Sequence, residues 1–276
     1  MGIAAQSGTE IETTETTFAD DWAKWHQQRQ AGVSGPYAML ALVGTHWVDG
    51  ATSVPEVPGV WSVESGVVTV RSESAAGLVV DGVIVDGVAR PRSDRDPDPS
   101  TISHGDWKLA LIEREGQFAV RVYDPHARTR TSFDGIEAYA PDEAWALPAT
   151  FVAYSGDSAA RVERVANADG RDRGLALAGE VRFDHAGRTH TLRVGNRRGG
   201  GLEAVFADRT SGRDGHDFRF VHLPAPDEEG HTLLDFNRAH LPPCAFADHY
   251  LCPSPPEGNT LPFAVTAGER AVRRRD

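Results

Sequence analysis

The residues with the widest chemical reach lie in one late stretch, His231 to Glu269. It holds both cysteines, three histidines (His231, His240 and His249) and six of the 17 prolines. Cys244 and Cys252 lie eight positions apart, with His240 and His249 close by. Three chemistries fit such a group. Zinc takes Cys and His ligands, often in pairs two to four residues apart. His249 and Cys252 have that spacing, but the two cysteines do not, so Cys244, His249 and Cys252 form a weak metal set. No metal or other cofactor is expected. A disulfide between the cysteines would close a short loop and contribute about 2.5 kcal/mol by the chain-entropy relation. Two buried or half-buried thiols are the third reading, favoured in a reducing compartment.

Upstream, Asp235-Phe236-Asn237-Arg238 combines a carboxylate, an amide and a guanidinium. In an extended chain Asp235 and Asn237 share one face, and Phe236 and Arg238 the other. Asp and Asn side chains commonly bind nearby turn amides. Alternatively they line a barrel mouth, with the planar fork of Arg238 gripping a carboxylate or phosphate. Asp208-Arg209-Thr210-Ser211-Gly212 offers the same choice: a self-bonded turn, or Asp208, Thr210 and Ser211 facing the same cavity as Asn237. With Asn259 and Glu269 these make the candidate ligand-binding set. No catalytic residue can be named. Ser211 lies in no G-x-S-x-G elbow. Gly195 to Gly201 lacks the Lys-Ser/Thr ending of a phosphate loop and reads as a hairpin tip. Glu269 has no acid–base partner by spacing and could instead pair with an arginine across a sheet.

The elements that must position these residues are mostly strands. The first is a helix: Thr17 and Asp20 stand in capping-box positions. Phe18, Trp22, Trp25 and Arg29 follow on one face, giving about 13 residues that end near Gly32. This face packs on the main sheet or, alternatively, forms a dimer contact. From Tyr37 onward the pattern alternates. Trp107 to Leu111 and Phe118 to Val122, joined through Glu115-Gly116, make the clearest hairpin. Asp81-Gly82 and Asp86-Gly87 favour primed turns. Val181 and Phe183 can pair with Thr189 to Arg193; further strands run from Leu202 to Phe206 and from Phe218 to His222. A last strand is expected to begin near Leu261, and the arginines from Arg270 to Arg275 read as a solvated end. Short strands at roughly 8–12-residue spacing, with no helices recurring between them, imply an all-β fold. The architecture expected is an antiparallel barrel or sandwich with an N-terminal helix. Residues 1–16 are polar and read as disordered. Residues 17–276 read as a single β-rich domain, with the polar stretch 155–174 as a candidate junction between subdomains 17–154 and 175–276.

Composition bounds the partners. A chain of 276 residues with 40% hydrophobic and 25% charged residues can bury a core. Its net charge of −12 argues against nucleic acid and anionic membrane surfaces. No segment has the ~18 apolar residues of a bilayer span, and the N-terminus lacks the basic and apolar regions of a secretory signal. A cytoplasmic location is expected.

The motifs DFNRA (Asp235 to Ala239), PPCAF (Pro242 to Phe246), CPSPPEGN (Cys252 to Asn259) and AGE (Ala267 to Glu269) are similar to the signature of the family called domain of unknown function 1684. So are LVGTHWVDG (Leu42 to Gly50), RVYD (Arg121 to Asp124), FDGIEAY (Phe133 to Tyr139) and FADRTSG (Phe206 to Gly212). The chain departs from the family pattern at His240-Leu241, Thr260 and Arg270, where Tyr-Asn, Arg and Lys are usual. The pattern includes both cysteines but not His249, which implies a structural pair rather than a metal site. The resemblance brings no established activity. Three functions are therefore carried forward: binding of a small polar or anionic molecule in a barrel mouth by Arg238, Asn237 and Asp208; an enzyme, such as a hydrolase, using Asp208, Asp235 or Glu269 with a histidine; and a structural or interaction protein.

Overall fold

The computed structural model describes residues 17–155 and 161–275. The stretch 1–16, expected to be disordered, lies outside the described residues. The helix begins where the capping residues place it. The Asp20 amide donates to Thr17 Oγ1 at 3.2 Å, and the Thr17 amide donates to the Asp20 carboxylate at 3.2 Å. This reciprocal cap satisfies two donors that a helix start leaves orphaned. The helix, Phe18–Ser34, runs past Gly32. It stops because Gly35 precedes Pro36, and a residue before proline is driven to extended backbone (φ −55°, ψ 158°).

The helix packs on a small two-stranded sheet and the C-terminal stretch rather than on a main sheet. Val33 joins Leu40, Ile136, Leu241 and Phe246 in a separate apolar cluster. No helix among the described residues is long and apolar enough to cross a membrane.

The hairpin Trp107–Arg114 and Gln117–Tyr123 turns through Glu115 and Gly116, both left-handed at φ 51° and 76°. That primed geometry matches the twist of the paired strands. The hairpin lies inside a six-stranded antiparallel sheet ordered Leu42–Trp47, Gln117–Tyr123, Trp107–Arg114, Ile102–His104, Leu78–Val80, Val83–Ile84. Asp81-Gly82 makes the same turn before Val83. Asp86-Gly87 does not: only Gly87 is left-handed, and the chain passes into a second sheet. That sheet contains Thr52–Ser53, Val60–Glu64, Val67–Ser72 and Gly87–Ala89. Trp61 and Val70 from the one sheet share a core with Leu78, Leu111 and Val120 from the other.

The later residues form a second six-stranded sheet, ordered Arg219–Leu223, Leu202–Phe206, Arg188–Asn196, Gly179–His185, Ala146–Ala153, His231–Asp235. It curves into a half-barrel, so the all-β antiparallel fold with an N-terminal helix is as expected, with the barrel only half formed. Its two edge strands are tied by Thr232 Oγ1, which donates to the Pro224 carbonyl at 3.0 Å, but no ladder joins them. The open side is covered by irregular chain. Leu261, Val265 and Ala267 are buried with Val181, Leu192, Phe206, Val221 and Phe236. No strand begins near Leu261, because Pro262 has no N–H to continue a ladder. The final strand is Glu269–Arg274, paired with Phe133–Ala138. The terminal arginines are therefore not a loose end: Arg274 donates to the carbonyls of Thr129 (2.9 Å) and Phe246 (3.0 Å). The polar stretch 155–174 carries the strand Arg161–Ala166, paired with Asp172–Leu177.

Candidate functional site

The strand His231–Asp235 ends at Asp235, and Phe236–Arg238 winds into one 3-10 turn, so the alternation expected of an extended chain does not hold there. The turn aims Asn237 inward, where it is 0% exposed. Its side chain accepts from the Asp142 amide (2.9 Å) and donates to the Asp142 carbonyl (2.9 Å) and to Asp235 Oδ1 (2.9 Å). Asp235 Oδ1 also takes the Asn237 amide at 3.0 Å, and its Oδ2 takes Arg238 Nη1 at 2.6 Å.

Asn259 is equally buried. It accepts from the Arg193 amide (2.8 Å) and donates to the carbonyls of Arg193 (2.9 Å) and Val205 (2.8 Å), standing in for a strand partner. Asp208 pairs with Arg219 at 2.7 Å, and Arg219 also donates to the carbonyls of Val265 (3.0 Å) and Ala267 (2.5 Å). That one guanidinium thereby fastens the cover over the half-barrel. The Thr210 amide donates to Asp208 Oδ1 at 2.7 Å, and Ser211 Oγ accepts from the Asp208 amide at 3.0 Å. Glu269 takes Arg29 Nε at 3.1 Å and the Leu241 amide at 2.8 Å. Burial pushes its carboxyl above the usual range, with Arg29 pulling against the shift. Removing such groups from water carries a cost that these internal partners offset.

A cavity of about 520 Å³ lies between the two edge strands of the half-barrel. Its walls include Leu223, Pro224, Leu233, Arg197, His222 and the glycine tip Gly199 to Gly201, together with Asp235 and Arg238. Of the eight candidate residues, Asp235 and Arg238 border it, whereas Asp208, Thr210, Ser211, Asn237, Asn259 and Glu269 do not. Arg238 is held between Asp235 and Asp21 (2.5 Å), beside Trp25. His222 pairs with Glu203 at 2.8 Å and meets His240 edge-on. Burial drives the His240 pKa well below its ordinary value, with the Arg29 charge adding to the shift, so this ring is neutral. Arg197 is exposed, and among the described residues its guanidinium has no ion pair.

The sequence pointed to neither Arg197 nor His222. The first stands at a hairpin tip, as expected there. The second follows from register: Arg219, Val221 and Leu223 face the half-barrel core, leaving Phe220 and His222 on the opposite face.

The cysteines are both free thiols. The Cys244 amide donates to Cys252 Sγ at 3.1 Å. Hydrogen bonds from Cys252 and then from His216 bring the Cys244 pKa down to about 6. The same bond to Cys244, with burial, raises the Cys252 thiol. His216 was not singled out from sequence, where nothing marks its nearness to a cysteine 28 positions away. His249 is exposed and does not join the two sulfurs within ligating reach among the described residues. There, the one trio with ligand atoms in range is Asp227, Glu229 and His231, all exposed where the chain enters the strand His231–Asp235.

No curated protein matches the chain. One solved structure, the NMR structure of an uncharacterized protein from Haloarcula marismortui, is 32% identical, covering 50% of this chain and 77% of that one with a TM-score of 0.40. The family model described as "Protein of unknown function (DUF1684)" matches residues 131–270. These residues span the half-barrel, its cover and both cysteines, and by this match the chain belongs to that family.

Proposed function

We propose that the chain binds a small carboxylic acid with an apolar body in the cavity between the half-barrel's edge strands. The observation that carries this reading is Arg197, a cation without an ion pair among the described residues, beside apolar walls that include the 43% exposed Leu233. A cavity of about 520 Å³ falls within the ~300–1,000 Å³ of small-molecule sites. Arg238 adds positive potential, but its fork is already bonded to two carboxylates, so it shapes the site and Arg197 anchors the ligand. A second reading, that the late motifs serve only to hold the fold, is favoured by the internal bonding of Asn237 and Asn259. The two readings concern different side chains.

Calorimetric titration with hexanoate and benzoate, against hexanamide and benzamide, tests the proposal. The carboxylates should bind saturably and the amides should not. Arg197→Ala should weaken carboxylate binding about 10-fold or more, the size expected for one charge-assisted hydrogen bond. Absence of saturable binding, or equal binding by the variant, would overturn it.

A further inference from the structure

A second site lies away from this cavity, where the loop after the half-barrel passes beneath the last strand. Cys244 sits half-buried in the short turn Pro243–Ala245, and Cys252 is 3% exposed. The 3.1 Å bond from the Cys244 amide to Cys252 Sγ brings the second sulfur to the first cysteine's own backbone. His216 completes the cluster. Its Nδ1 faces the Phe218 carbonyl at 3.2 Å, which orients the ring, and the neighbouring Cys244 thiol is the first cause of its raised pKa. His216 and Ala245, the neighbour of Cys244, also wall a cavity of about 540 Å³ that Arg213, Arg270 and Arg274 border. The cluster therefore combines a half-exposed thiol, a neighbouring imidazole that borders a cavity, and a second thiol against the first cysteine's backbone.

We propose that Cys244 and Cys252 are a reversible dithiol–disulfide couple that reduces a hydroperoxide, with Cys244 as the attacking thiolate and His216 as its acid–base partner. The Cys244 thiolate attacks the terminal peroxide oxygen. The S–O bond forms, the O–O bond breaks, and His216 delivers its proton to the departing alkoxide or hydroxide. Cys252 then attacks the sulfenic sulfur. The S–S bond forms, and the hydroxyl leaves as water with the Cys252 proton. Two electrons from the dithiol have reduced the peroxide, and exchange with a dithiol reductant restores the pair. The thiolate, not the thiol, is the nucleophile, so a cysteine with an imidazole as its neighbour at a cavity edge suits the first step. A second cysteine at contact range suits the next.

The test uses the full chain, reduced and then treated with one equivalent of hydrogen peroxide. Intact mass after alkylation should show loss of two hydrogens and protection of both cysteines, reversed by dithiothreitol under native conditions. Cys252→Ser should stop at the sulfenic acid, which dimedone traps, and Cys244→Ser should give no adduct. His216→Gln should slow adduct formation about 10-fold while circular dichroism stays unchanged. If a cysteine variant fails to fold, the wild-type mass and rate still decide. The proposal fails if the cysteines react no faster than free cysteine, or if the disulfide is present from the start and resists native reduction, which would mark a permanent cross-link.

Discussion

At the scale of the residue, the polar side chains of the late motifs act as fasteners between segments far apart in sequence. Asn237 holds a turn 95 positions away and Asn259 a strand 66 positions away. Each buried group left without its partner costs roughly 1–3 kcal/mol. Asn237→Ala should therefore lower the stability read from urea unfolding by at least that much. Glu269→Gln, which leaves the Arg29 guanidinium without its counter-charge, should cost ~3–5 kcal/mol. Arg197→Ala, at an exposed position, should stay within about 0.5 kcal/mol of the parent. Equal losses in all three would remove the distinction between fastener and binding residue. The sequence showed that these residues matter chemically but left two directions open for them. An Asp or Asn can bond a turn or a ligand, and the choice depends on which backbone amides the fold brings near. Arg238 shows the limit: its fork was legible, but its carboxylate partners, Asp235 and Asp21, belong to the protein.

At the scale of the element, whatever a local signal encodes was readable. The Thr17 cap, the Glu115-Gly116 turn and the strand pairing around Ala186-Gly187 all follow from neighbours in sequence. What escaped was set by distant chain: the Phe236–Arg238 turn, the passage of Gly87 to another sheet, and the irregular cover in place of a strand at Leu261. Gly268 shows why that cover has its shape. At φ +79°, a Cβ there would lie 2.5 Å from the Ala239 carbonyl and 2.7 Å from that of Phe236. Gly187 is also left-handed, at φ +72°, but faces open space. Gly187→Ala should cost only the conformational penalty of ~1–2 kcal/mol. Gly268→Ala should cost clearly more, because two backbone carbonyls cannot swing aside. Thermal melts of the pair measure the difference, and equal melting temperatures would show that the cover yields easily.

At the scale of the whole molecule, stability should depend on histidines held neutral. Burial is the first cause of the lowered pKa values of His26, His46 and His240, each from an ordinary 6.5. A lowered pKa means that the unfolded chain takes up these protons before the folded one does. Their contribution is present above the ordinary value and is lost as pH falls below it. His216, raised chiefly by its bond to Cys244, works in the opposite direction. Urea midpoints should thus fall between pH 7 and pH 5, and His240→Gln should flatten the decline. A midpoint constant over that range would contradict this assignment of neutral rings.

The bond between Arg29 and Glu269 spans 240 positions. During translation, at ~5–20 residues per second, the early helix must wait roughly 10–50 s for the carboxylate that anchors it. The two sheets that share the Trp61 core, built from contiguous residues between Leu42 and Tyr123, can form meanwhile. Until Asn237 and Arg238 follow, Trp22 lacks the carbonyl its indole donates to and Trp25 the guanidinium beside it, so the helix is expected to dock late, onto chain that has already folded.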